Sequence, residues 1–106
     1  PVHTPELSVC TDVTRWKGTI HVPDLSVCSE GWEECRTRSR AAADAEGKLL
    51  AGFMGTGIFE QCHFLMGFED TLTALYEHPD EMHELIETIT QYRLDYVRRL
   101  IDLLPR

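Results

Sequence analysis

No apolar run in these 106 residues approaches the roughly 20 that a membrane-spanning helix needs, so no membrane span is expected. Nor do the first ten residues carry a basic start followed by an apolar stretch, so no signal peptide is read there. Cations are scarce: ten Lys and Arg face eighteen Asp and Glu, for a formal net charge of −8. Binding nucleic acid needs clustered Lys and Arg to displace counterions, so a nucleic-acid partner is not expected. Arg36, Arg38 and Arg40 do cluster. Alternate spacing on a helix spreads them around it, which reads as solvated surface. The four cysteines, Cys10, Cys28, Cys35 and Cys62, include no CxxC, and no histidine spacing completes a zinc-finger pattern. Cys62 and His63 are adjacent, but helix neighbours point about 100° apart and cannot both face one ion without help from further ligands. No metal is therefore expected in the chain, and the cysteines read as reduced and mostly buried in a cytoplasmic protein.

What is present is an ordinary globular composition, 42% apolar and 26% charged, in a length that allows one domain at most. Residues 1–28 read as a connecting segment. Pro1, Pro5 and Pro23 keep it from being helical throughout. Within it, Thr11 to Trp16 fits one short turn capped by Thr11 or Asp12. Ile20-His21-Val22 before Pro23 reads as extended, a weak candidate strand. A helix is expected over 29–47, capped by Ser29, with Glu30, Glu33 and Glu34 early and Gly47 as its stop. Its stripe of Trp32, Cys35, Ser39, Ala42 and Ala43 is narrow and small.

Residues 48–57 read as strand and turn. Lys48 to Met54 is continuously apolar after its first residue, as in a parallel strand buried on both faces, and Gly55-Thr56-Gly57 turns the chain. Residues 58–78 read as helices broken near Gly67, the second presenting Phe68, Leu72, Leu75 and Tyr76 on one face. Over 79–104 a long helix is expected. Pro79 suits its first position, and Asp80 and Glu81 complement the positive end of its dipole. Its stripe is Met82, Leu85, Ile86, Ile89, Tyr96, Val97, Leu100, Ile101 and Leu104.

This set of elements reads as incomplete. A doubly buried strand needs neighbours, and each large side chain left exposed on the last helix forgoes about 1.5–3 kcal/mol of burial. Two resolutions follow. In one, the chain is a small helical module that dimerises through its C-terminal helix. In the other, the order strand, turn, helix, helix is a unit of a larger α/β fold.

The second resolution has residues behind it. Asp12-Val13-Thr14-Arg15-Trp16-Lys17, Val22-Pro23-Asp24-Leu25 and Gly47-Lys48 come first, then Gly52-Phe53-Met54-Gly55-Thr56-Gly57. Gly57-Ile58-Phe59-Glu60, Leu65-Met66-Gly67-Phe68-Glu69 and His78-Pro79-Asp80-Glu81-Met82 follow. In order and spacing this series resembles distant members of the uroporphyrinogen decarboxylase superfamily over most of the chain. The resemblance implies an α/β fold, a partial (β/α)8 TIM barrel in which this interior fragment is mostly helical with one or two short strands. It implies a parent that is either a lyase decarboxylating a porphyrin precursor or a corrinoid-linked methyltransferase that binds zinc. The substrate would be a small molecule, a tetrapyrrole or a corrinoid-linked group, and the fragment alone would be inactive.

Barrel active sites lie at the C-terminal ends of strands, so the resemblance puts Phe53 to Phe59 at the mouth. It implies substrate contacts from Phe53, Gly55, Thr56, Phe59 and His63. The family decarboxylases carry a Tyr near the place of His63, which favours a methyltransferase-type or uncharacterised parent. The decarboxylase's aspartate would lie upstream of this chain and the zinc ligands downstream, so no cofactor is expected within it. His63 is the candidate acid/base, because imidazole changes charge near neutral pH. The alternative is a half-buried histidine bonded to a neighbouring loop. Glu60, three residues earlier on the same helical face, could pair with it or cap the helix start. Gly55-Thr56-Gly57 could hold an anion at the helix N-terminus or form a plain tight turn.

Overall fold

A computed structural model describes residues 8–26, 29–49 and 51–103. A 3-10 turn over Val13–Arg15 leads into α1 (Trp16–Thr19). Then come α2 (Ser29–Glu46), α3 (Ile58–Met66), α4 (Phe68–Glu77) and α5 (Pro79–Leu103). The chain forms two units. One comprises residues 1–22 and 55–92, the other 23–54 and 93–106.

The first unit holds every described residue of the buried core. Cys10, Val13 and Trp16 meet Cys62 and Met66 of α3, Ala74 of α4, and Met82, Leu85 and Ile89 of α5. Leu85 has no exposed surface at all, and burying a side chain of that size stabilises by about 1.5–3 kcal/mol. The 3-10 turn starts where expected. Asp12 is its N-cap, and its carboxylate accepts the Thr14 N–H at 3.0 Å and the Thr14 hydroxyl at 2.6 Å. Two amides of the preceding segment, those of Val9 and Cys10, both donate to the Leu65 carbonyl at 3.0 Å. Lys17 reaches Glu84 of α5 at 2.9 Å, an exposed pair of small energetic weight.

One residue, Gly67, joins α3 to α4. Its φ of 101° lies where a side chain is strained, so glycine is what lets two helices abut with no loop. α4 then packs inward through small residues, Thr71 and Ala74. Thr71 is nearly fully buried, and its hydroxyl donates to the Gly67 carbonyl at 2.6 Å. That bond removes the penalty for burying a free hydroxyl.

Among the described residues, the second unit contributes none to the buried core. α2 is held by exposed pairs, Glu33 with Arg36 and Glu34 with Arg38, each worth a few tenths of a kcal/mol. Trp32 packs edge-on to Tyr96 at 5.7 Å and donates its indole N–H to the Leu25 carbonyl at 3.2 Å. α2 stops at Gly47, which takes a φ of 60°.

The structure corrects the fold class. Among the described residues there is no strand, so the chain is a small all-helical fold and not part of a (β/α)8 TIM barrel. The apolar run is solvated: Leu49 is fully exposed, Phe53 is 88% exposed, and Leu50 lies outside the described residues. Continuous hydrophobicity marks a buried strand only where neighbouring strands take up its backbone hydrogen bonds, and no described segment supplies one. Ile20 is extended in backbone but pairs with no strand. With the barrel go the descriptions tied to it: TIM barrel, decarboxylase-like, lyase, methyltransferase, porphyrin and corrinoid. Each of those sites is built on barrel strand ends.

The long helix stands as read from Pro79. Met82, Leu85 and Ile89 of its stripe are buried, Ile86, Tyr96, Val97 and Leu100 are half-buried, and Ile101 is 51% exposed. Leu104 lies outside the described residues, as do Cys28 and the prolines at 1 and 5. No helix among the described residues is long and apolar enough to cross a membrane.

Candidate docking face

α4 turns its strongest apolar stripe outward. Phe68 is 58% exposed, Leu72 48%, Leu75 42% and Tyr76 90%. At about 100° per residue these four fall within one third of the helix circumference, next to the inward-packing Thr71 and Ala74. The periodicity named the right residues for a face, but that face meets solvent. Close packing of α4 against the core is achieved by Thr71 and Ala74 instead.

Behind Phe68 stands an aromatic group from α3. Phe59 lies edge-on to Phe68 with centroids 5.6 Å apart, and His63 lies 5.7 Å from Phe59, 4.5 Å from Phe64 and 6.1 Å from Phe68. Such pairs favour tilted and T-shaped contacts and hold the rings in place. The Nδ1 of His63 is shielded from solvent and makes no hydrogen bond. The imidazole packs among these rings, and among the described residues no loop accepts a hydrogen bond from its Nδ1. Phe59 and His63, two of the expected substrate contacts, are brought together as half-buried members of the cluster.

The other expected site residues sit elsewhere. Gly55 is exposed and Thr56 half-buried, and Phe53 belongs to the second unit. Glu60 forms no ion pair with His63. Its carboxylate curls back over Gly57, 2.5 Å from where a Cβ there would stand, the position of a capping-box acid at the third helical residue. Gly57 itself, lacking a side chain, makes no side-chain cap hydrogen bond, and residues 55–57 lead into the helix without forming a turn.

One hollow lined by described residues of the first unit is smaller than a typical substrate site. A cavity of about 150 Å³ is lined by Cys10, Asp12, Met66, Asp70, Glu77 and His78, among others. Small-molecule sites typically enclose roughly 300–1,000 Å³. Among the described residues no three His, Cys, Asp or Glu side chains gather to hold a metal ion. Burial pushes the Cys62 thiol above its ordinary range, which keeps it protonated and a poor nucleophile. Asp12 is held below the usual carboxylate range by the Thr14 hydroxyl and then by the Thr14 N–H.

Charge in the stretch of sequence that contains α4 is one-sided. Residues 55–92 carry eight Asp and Glu and no Lys or Arg. The remaining ten Asp and Glu are matched by the ten Lys and Arg elsewhere, so the whole net charge of −8 resides in this stretch. On α4 itself Glu69, Asp70 and Glu77 are exposed, and helical spacing puts Glu69 on the flank shared with Leu72 and Tyr76. The count of cations was open to reading from the sequence alone; which side of α4 faces water was not. No family model, no curated protein and no solved structure matches the chain.

Proposed function

We propose that the chain is a helical docking module, working through the outward face of α4 by protein–protein contact and not through chemistry in a cavity. The observation that carries this is the exposure of Phe68, Leu72, Leu75 and Tyr76 as one stripe on a well-anchored helix. Scattered exposed apolar residues are ordinary, but a contiguous apolar strip on one helix face marks an interaction surface. The ring cluster beneath Phe68 supports it by holding that anchor in place, since preorganised anchors lose little entropy on binding. Self-association through α5 has less to work with. Met82, Leu85 and Ile89 are spent in the core, leaving Leu94 and Ile101 as its large exposed apolar residues among those whose side chains are described.

The reading as a slice of a uroporphyrinogen-decarboxylase-like parent, inactive by itself, loses its footing with the strand that carried the cleft. A cytoplasmic setting suits the module. Cys10, Cys35 and Cys62 are free thiols, as a reducing compartment keeps them.

Placing a photo-cross-linking residue at position 72 tests the proposal. Irradiation in cells is expected to give a discrete adduct with a second polypeptide. The same residue at Thr90, exposed on α5, should give none. Equal yields at the two positions would refute a docking role for α4.

A further inference from the structure

We infer that the α4 face takes a cationic amphipathic helix supplied by another protein. The inference rests on the docking reading above and specifies its partner. Phe68, Leu72, Leu75 and Tyr76 run over about two turns, roughly 12 Å. An amphipathic helix laid along such a strip engages it with side chains three, four and seven residues apart.

Charge selects among the occupants. A nucleic acid is repelled by a segment with eight acids and no Lys or Arg. A membrane surface is disfavoured for the same reason. Helices that lie on bilayers carry Lys and Arg on their polar face, whereas α4 carries Glu69, Asp70 and Glu77. A second copy docking α4 on α4 would bring two acidic flanks together. A partner helix with Lys or Arg beside its apolar stripe meets none of these obstacles. Some acids nearby are already engaged, Glu84 by Lys17 and Glu87 by His83. No ion pair engages Glu69 or Glu77 among the described residues, and both are exposed beside or behind the strip. The concentrated negative charge also raises the rate of encounter with a cation-rich segment.

The probe is a designed peptide of roughly 18 residues, long enough for a helix to be populated, with Leu at three- and four-residue spacing and Lys elsewhere. Its counterpart replaces every Lys with Glu. Binding to the full chain is read by fluorescence anisotropy. The Lys peptide is expected to bind at least about tenfold more tightly than the Glu peptide, and to weaken several-fold as salt shortens the Debye length from about 30 to 3 Å. Tyr76→Glu and Leu72→Glu should each cost about tenfold or more in binding with the far-UV circular dichroism unchanged. Tyr76, at 90% exposure, keeps the test valid if Leu72→Glu perturbs the fold. Equal binding of the two peptides would overturn the cationic partner while leaving the docking face standing. Binding of neither would overturn it too, and the cross-linking at position 72 would then decide whether the face docks anything. A concentration-dependent dimer in sedimentation that Tyr76→Glu abolishes would make the occupant a second copy and overturn it as well.

Discussion

The hydroxyl of Thr71 donates to the carbonyl of Gly67 one turn back, and the Thr71 amide donates to the same oxygen at 3.0 Å. The carbonyl thus uses both lone pairs on one residue. Removing the hydroxyl leaves the acceptor still bonded, and an isosteric methyl leaves no donor unsatisfied. Thr71→Val is therefore expected to change stability by less than about 1 kcal/mol. Thr71→Leu must push α4 away from a full core and is expected to cost about 1–3 kcal/mol. Urea denaturation of the two variants separates them. A loss above 2 kcal/mol in Thr71→Val would mean that the hydroxyl does more than satisfy itself.

The corner between α3 and α4 makes a second prediction. Gly67→Ala forces a side chain into a φ of 101° and is expected to cost about 1–3 kcal/mol. Gly31 is the contrasting site, in the first turn of α2 with open space where a Cβ would go. Gly31→Ala is expected to add helix and up to about 1 kcal/mol of helix propensity. Thermal melts followed at 222 nm measure both. If the two substitutions shift the midpoint in the same direction, the corner is not set as described.

The third prediction concerns acid. Asp12 has its folded pKa lowered by the Thr14 hydroxyl and amide. A carboxylate lowered on folding contributes stability above its unfolded value, near 3.9, and loses it as pH falls through the folded value. Wild type is therefore expected to lose stability below about pH 4 more steeply than Asp12→Asn, with the difference between them shrinking toward pH 2. Parallel curves from pH 6 to 2 would show that the Asp12 cap is not formed in solution.

Local chemistry was legible in particular places. Pro79 followed by two acids announced the start of α5, and steps of three and four found Met82, Leu85 and Ile89, all now buried. Of the two caps read for the first turn, Thr11 and Asp12, the structure uses Asp12. What failed was inference about what lies opposite an element. Leu49 to Met54 has a strand's composition, but composition does not supply the neighbouring strands on which a buried strand depends. Phe68, Leu72 and Leu75 carry a core face's period, yet two small residues, Thr71 and Ala74, let α4 seat by its other side. Of the candidate site, the cluster of Phe59 and His63 could be anticipated from their spacing on a helix. Its continuation into Phe68 could not, because it depends on the turn that Gly67 makes.

The paired amides of Val9 and Cys10 on the Leu65 carbonyl bear on the order in which the first unit assembles. α3 and α4 are adjacent in sequence and can collapse on each other early, since closing a short loop costs little entropy. The segment around Cys10 must instead be recruited across about half of the chain. Contacts of such long range are the slow ones in small proteins, and the latch at Leu65 is expected to close last.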